Sequence, residues 1–251
     1  MDEDTDIGGT GNRFPPTRGS AILAARSQDQ AERTRGLETL AASYWKPVYK
    51  YIRLHWGKPN EDAKDLTQGF FHRAIEKNFF QGYDPSKAAF RTYLRTCVDG
   101  FVAKEDKFSR RIKRGGEAQL LSLDFDSAEG ELGRSEIPDP EDMEEYFHKE
   151  WVRSLFGLAV ERLREECEAS GKGIQFRLFE RYDLEEGAAP GPLTYEQLGA
   201  EYGLPATTVT NYLAFARRAF RRVVLEKLRE LTASDEEFRA EARRLLGVDA
   251  R

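Results

Sequence analysis

Thr194 to Arg222 reads TYEQLGAEYGLPATTVTNYLAFARRAFRR. Thr194, with Gln197 three residues on, forms a capping box that opens a helix. Gly199 is a small residue where two steeply crossed helices must approach, and Gly203 stands where the turn needs a left-handed backbone. Leu198, Tyr202, Leu204, Val209 and Leu213 supply apolar contacts, Pro205 ends the turn, and a second helix is predicted from about Ala206. The pattern is a helix-turn-helix. In such an element the start of the second helix faces base edges in the major groove. Thr207, Thr208, Thr210 and Asn211 occupy those positions. Asparagine can pair bidentately with adenine, and threonine can offer its hydroxyl, or its methyl to thymine. Arg217, Arg218, Arg221 and Arg222 lie farther along and suit phosphates.

This element sits in a chain of net charge -5 over 251 residues. The charge is segregated. Lys104 to Arg114 carries six positive and two negative charges, and Arg217 to Arg229 six positive and one negative. Between them, Asp124 to Glu150 carries eleven negative and two positive. Two basic patches are thus separated by one acidic segment, and the net charge averages over parts with opposite tasks.

Working outward, every periodic segment has helical spacing and no strand pattern or internal repeat occurs. Residues 1–16 are expected to be a disordered tail, and Ser20 to Ser27 a short apolar helix. Asp29 with Glu32 is a capping box for a helix whose stripe is Leu37, Leu40, Tyr44, Val48, Ile52 and Trp56, with a bend expected at Pro47. Asn60 is the expected cap of a third helix, with Ala63, Leu66, Phe70 and Ala74 on one face. FFQGY (79–83) breaks it. Asp84-Pro85 then predicts the start of a fourth helix, carrying Phe90, Leu94, Cys97 and Phe101. Gly115 to Glu141 reads as an acidic, Gly- and Pro-containing linker. A long helix with Phe147, Trp151, Leu155 and Leu158 runs to Cys167, and Ile174 to Leu184 is a short one. Ser234 with Glu237 caps a last helix ending near Gly247; its apolar face of Phe238, Leu245 and Leu246 is expected to pack on the second module.

The fold class is therefore all-α, with two small helical domains joined by an acidic linker. The expected bounds are a tail at 1–16, a first domain at 17–116, the linker at 117–144, a helix-turn-helix domain at 145–232 and a helical extension at 233–251. No apolar run approaches the roughly 20 residues that cross a bilayer. The acidic, Gly/Pro-rich start lacks the basic-then-apolar order of a secretory signal, so the cytoplasm is the expected compartment. Cys97 and Cys167 lack metal-ligand spacing and read as buried apolar residues. His55, His72 and His148 form no metal or triad pattern, and no glycine-rich phosphate loop occurs. No enzymatic activity, metal or cofactor is expected.

EDAKDLTQGFFHRAIEKN (61–78) followed by AAFRTYLRTCVDGFVAKEDKFSRR (88–111) resembles region two of bacterial RNA polymerase sigma factors. The Thr194–Arg222 stretch resembles region four of the same family. Order and spacing are similar to the extracytoplasmic-function (ECF) type, in a branch with a longer linker and an added C-terminal helix. The resemblance spans Thr17 to Leu231. It implies a factor that binds core RNA polymerase through its clamp and flap regions, recognises promoter DNA and opens it for initiation. An anti-sigma factor is a further partner the family implies; it would be a separate chain.

By this resemblance Asp62, Asp65 and Gln68 meet a helical hairpin of the polymerase clamp, with Leu66 and Phe70 beneath. The helix after it meets the −10 element. Strand opening needs a surface that replaces base stacking, and cations for the phosphates. Tyr93 supplies the first, with Phe90 read as core; Arg91, Arg95, Lys104, Lys107, Arg110 and Arg111 supply the second. A flipped base is expected near Phe80 to Lys87. Thr207, Thr208, Thr210, Asn211 and the four arginines meet the −35 element. The acidic linker reads either as a nucleic-acid mimic lying in the basic cleft of the polymerase, as the resemblance implies, or as a solubilising spacer. Gly69, Tyr93, Gly100 and Lys104 depart from the residues common in the family, so the promoter sequence does not carry over. The competing reading is a free-standing helix-turn-helix regulator, which leaves 61–78 without a task.

Overall fold

In the computed structural model, residues 20–77, 79–109, 123–133, 139, 142–185 and 193–247 are described, and every regular element among them is helical. The tail at 1–16, Arg110 and Arg111, Gly115-Gly116 and residues 117–122, 134–138 and 140–141 of the linker lie outside the described residues. The elements are α1 (Ala21–Ala24), α2 (Gln30–His55), α3 (Asn60–Lys77), a 3-10 turn (Phe79–Gly82), α4 (Phe90–Ser109), α5 (Phe125–Leu132), α6 (Met143–Ala169), α7 (Gly173–Phe179) with a π-helical turn (Glu180–Leu184), α8 (Tyr195–Tyr202), α9 (Ala206–Glu230) and α10 (Asp235–Leu246).

The central helix is α2. Its buried residues include Leu37, Leu40, Tyr44, Val48, Tyr49, Tyr51 and Ile52, which go round the helix rather than along one stripe. A helix apolar on most sides must be enclosed, and α1, α3, α5 and α6 pack on it. It runs unbroken through the buried Pro47. The Asp29 side chain accepts from the Glu32 N–H at 2.7 Å, as the cap requires; the Glu32 carboxylate takes the Ser27 hydroxyl instead of returning to Asp29.

Two predicted helix starts are corrected. Asn60 is the first residue of α3 rather than its cap, and its Oδ1 accepts from the Tyr49 hydroxyl at 2.8 Å. The fourth helix begins at Phe90, not at Asp84-Pro85. Asp84 Oδ1 accepts from the Ser86 N–H (3.0 Å) and the Ser86 hydroxyl (2.7 Å), closing a local turn of the kind that competes with helix.

The apolar interior forms two clusters. One gathers α1 to α4, α5, the first half of α6, the second half of α9 and Ala242 of α10. The other holds Leu163 and Cys167 of α6, α7, Leu198 of α8, and Val209, Leu213 and Ala216 of α9. The clusters thus divide partway along α6 and α9, which pack against each other, and not at 117–144. Both long helices serve both clusters.

The described part of the acidic stretch contains a helix where the sequence reads as linker. Phe125 of α5 sits edge-on to Trp45 and Tyr49, at 5.3 and 5.1 Å between ring centres. Glu129 accepts from Arg53 Nε at 3.0 Å and from the Tyr49 hydroxyl; the Arg53 guanidinium holds its carboxyl below the usual range. Glu131 pairs with Lys46 at 2.8 Å and Lys50 at 2.6 Å. These two acids of the supposed mimic therefore face cations of the same chain, and the exposed Asp126 lies 3.6 Å from the Lys64 ammonium.

Candidate nucleic-acid and protein interfaces

The α8–turn–α9 element has the geometry its sequence predicts. The Thr194 and Gln197 pair closes a reciprocal capping box, at 2.9 and 3.2 Å. Gly203 is left-handed (φ 67°, ψ 33°), and the Leu204 N–H returns to the Gly199 carbonyl at 2.8 Å. Leu198, Val209, Leu213 and Ala216 are fully buried, which fixes the crossing. Thr207, Thr210 and Asn211 are exposed and Thr208 half-buried. Spacings of three and four place Thr207, Thr210, Asn211, Arg218 and Arg221 on one face of α9.

The four arginines separate into two pairs. Arg218 and Arg221 are exposed and make no ion pair among the described residues. Arg217 is held by Asp183 at 2.8 and 2.9 Å and by the Tyr195 hydroxyl at 3.2 Å, and lies over the Tyr182 ring; the carboxylate raises its guanidinium further above the usual range. Arg222 pairs with Glu166 and with Glu226. The freely presented stripe is therefore three polar side chains followed by two cations, with Arg217 and Arg222 tied at its edges.

On α3, Asp62 and Asp65 are exposed, Leu66 and Gln68 half-buried, and Phe70 fully buried edge-on to Phe71 and Phe101. Both aspartates are without partners among the described residues. The face between Asp65 and Arg73 is bare at Gly69, where an added Cβ would lie 3.4 Å from the Phe101 ring. This is an exposed acidic helix surface over an aromatic base.

The expected −10 residues are not brought together on an open face. Arg91 pairs with Glu241 of α10 at 2.5 Å and lies over the Trp151 ring, with the two charged side chains only 12% and 9% exposed. Arg95 reaches Glu144 of α6 at 3.3 Å, and its Nε is buried without a partner. Lys104 is exposed, beside Thr96 and Gly100 on the outer face of α4. Lys107 lies on α4, but its side chain is outside the described residues, as are Arg110 and Arg111 altogether. The Tyr93 hydroxyl donates to the Phe79 carbonyl at 2.9 Å, and burial pushes its phenol up to about 12. Phe80, Tyr83 and Phe90 are buried, with the Phe90 ring edge-on to those of Phe80 and Tyr83, while Gln81, Gly82 and Pro85 to Lys87 of the stretch expected to receive a flipped base are exposed.

The residues that sequence reasoning missed here are on α10. Glu237 Oε1 accepts from the Tyr83 hydroxyl and from the Phe90 N–H, both at 3.0 Å, and Oε2 from the Ala233 N–H at 2.8 Å. The predicted pairing of Ser234 with Glu237 is half present: the Ser234 hydroxyl accepts from the Glu237 N–H, while the carboxylate crosses to α4. α10 packs on α9, with Arg229 over the Phe238 ring, but its expected apolar face of Phe238, Leu245 and Leu246 joins the first cluster rather than the second.

Cys97 is half-buried and Cys167 buried, both unpaired, and burial raises both thiols. Among the described residues no group of histidine, cysteine and acidic side chains is placed to hold a metal ion. No helix among them is long and apolar enough to cross a membrane. Comparison with protein-family models, curated proteins and solved structures gave no match to this chain.

Proposed function

We propose that this chain is an RNA polymerase sigma factor of the ECF type. In this reading α3 docks on the core polymerase clamp, α8 and α9 present Thr207, Thr210, Asn211, Arg218 and Arg221 to duplex promoter DNA, and α4 contributes to holding the opened strand. The observation that carries it is the presence, on one chain, of an open helix-turn-helix recognition face and a separate exposed acidic face at Asp62 and Asp65. A groove-reading helix needs polar side chains at its start and cations farther along, and α9 offers that order. The second face has no role in a protein that only binds DNA. The finer division into a 17–116 unit and a 145–232 unit joined by 117–144 belongs to this proposal, with each unit acting on its own promoter element.

Binding to core RNA polymerase tests the reading. Asp65 is exposed and unpaired among the described residues, so Asp65→Arg leaves the fold intact. Close interfacial charge pairs are strongly coupled, so core affinity is expected to fall by roughly tenfold or more. A variant that binds core as the parent does removes α3 from the interface. A parent protein that binds duplex DNA tightly and core not at all supports the free-standing regulator instead.

A further inference from the structure

The structure assigns to α10 the role of a latch: Glu237 and Glu241 occupy an anion site made by the start of α4, Tyr83 and Arg91, and keep it from the phosphates of a single DNA strand. This rests on the sigma-factor reading, because it is that reading which gives α4 a nucleic-acid partner.

Three observations support it. First, α4 has no cap of its own. The Asp84 carboxylate that could have served closes a turn with Ser86, and the Phe90 N–H is instead satisfied by Glu237, 147 residues away. The start of a helix carries partial positive charge and free N–H groups, and it favours an anion. Second, Arg91 adds a full charge at the same place, and Glu241 meets it in nearly complete burial. Two carboxylates one helical turn apart on α10 thus contact an N–H, a phenol and a guanidinium, donors that a phosphate accepts from equally well. Third, the closure is imperfect. Glu241 Oε2 is buried without a partner, as are Arg95 Nε and His148 Nδ1. Buried polar atoms are normally paired. Arg91, Arg95, Arg244 and His148 line a cleft of about 190 Å³ that Glu144 and Glu145 of α6 also border. Burial, followed by the charges of Arg91 and Arg244, lowers the His148 imidazole below its usual range. The cleft adjoins the latch through Arg91, whose other side meets Glu241.

By contrast, the stripe on α9 is open. The free protein therefore presents its duplex-reading face while the Arg91 and Arg95 part of its strand-holding set is covered. The order of events follows: duplex contact does not need α10 to move, and strand capture does.

The test is binding of a fluorescently labelled single-stranded oligonucleotide to the full-length protein, read by anisotropy at low salt. Compared are the parent, Glu237→Gln with Glu241→Gln, and a control of equal charge, Glu38→Gln with Glu236→Gln, whose residues are exposed and do not contact α4. The latch variant is expected to bind roughly tenfold more tightly than the control, the scale of a close charge pair. Adding Arg91→Gln to the latch variant should cancel the gain. Glu241→Gln alone, which keeps the Glu237 cap, carries the test if the double variant unfolds. A latch variant that binds like the control overturns the proposal. Core binding by the same proteins separates the two ideas. Tighter strand binding without core binding upholds the latch and rejects the sigma reading; core binding without tighter strand binding does the reverse.

Discussion

Replacing Lys50 by Met is expected to destabilise the protein by about 3–5 kcal/mol, the scale for removing one partner from a buried ion pair. The Lys50 ammonium lies 2.6 Å from Glu150 and 2.6 Å from Glu131, and the Lys50 and Glu150 side chains are each 1% exposed. This pairing ties α2 to both α5 and α6. Without it Glu150 keeps only the Arg153 guanidinium, which is mostly exposed, and a carboxylate stays buried in poor company. The neighbouring Tyr146 hydroxyl is buried without a partner, and burial, then the charge of Glu150, pushes its phenol up. Denaturant unfolding measures the loss. Adding Glu150→Leu to Lys50→Met should recover much of it, since an apolar pair replaces the ion pair without leaving a charge behind. A single variant within about 1 kcal/mol of the parent would mean that Arg153 alone suffices for Glu150.

Gly199→Ala is expected to open the helix-turn-helix. A Cβ at this position would lie 2.4 Å from the Leu204 carbonyl oxygen and 3.5 Å from Val209 Cγ2. The first is a backbone atom in the turn, whose N–H already bonds to the Gly199 carbonyl, so it cannot yield as a side chain would. Overpacking of this kind costs about 1–3 kcal/mol or more. The damage should fall on the second apolar cluster, where Leu198 and Val209 meet. The expected result is loss of amide-exchange protection in α8 and the start of α9, with protection of α2 and α3 retained, and loss of duplex DNA binding. Parental protection in α8 would show that the turn has room.

The helix-turn-helix was legible because its determinants are local. A reciprocal cap, a left-handed glycine and a glycine at the crossing all lie within ten residues, and each has one structural meaning. The acidic face of α3 was legible for the same reason, as a helix period over a buried Phe70. The start of α4 was not. Asp84-Pro85 has the composition of a helix start, but the side chain that satisfies the Phe90 N–H comes from Glu237, and no local pattern announces a partner so distant. Arg91 and Arg95 look like nucleic-acid ligands in a basic series. They lie on the flank of Leu94 and Val98 turned towards α6 and α10, where carboxylates meet them. The acidic stretch differs in the opposite sense: its composition reads as a linker whose acids face a partner, but Glu129 and Glu131 pair with Arg53, Lys46 and Lys50 of the same chain. A basic reading element thus resides in an acidic chain partly because several of the acids cover the chain's own cations.

Run-off transcription tests the central claim most directly. The purified protein is mixed with core RNA polymerase from its own host and a library of host upstream sequences. Discrete transcripts that are absent with core alone are the predicted result, and their start sites would reveal both promoter elements. Tight binding to duplex DNA with no transcripts and no association with core would contradict the account and leave a helix-turn-helix regulator in its place.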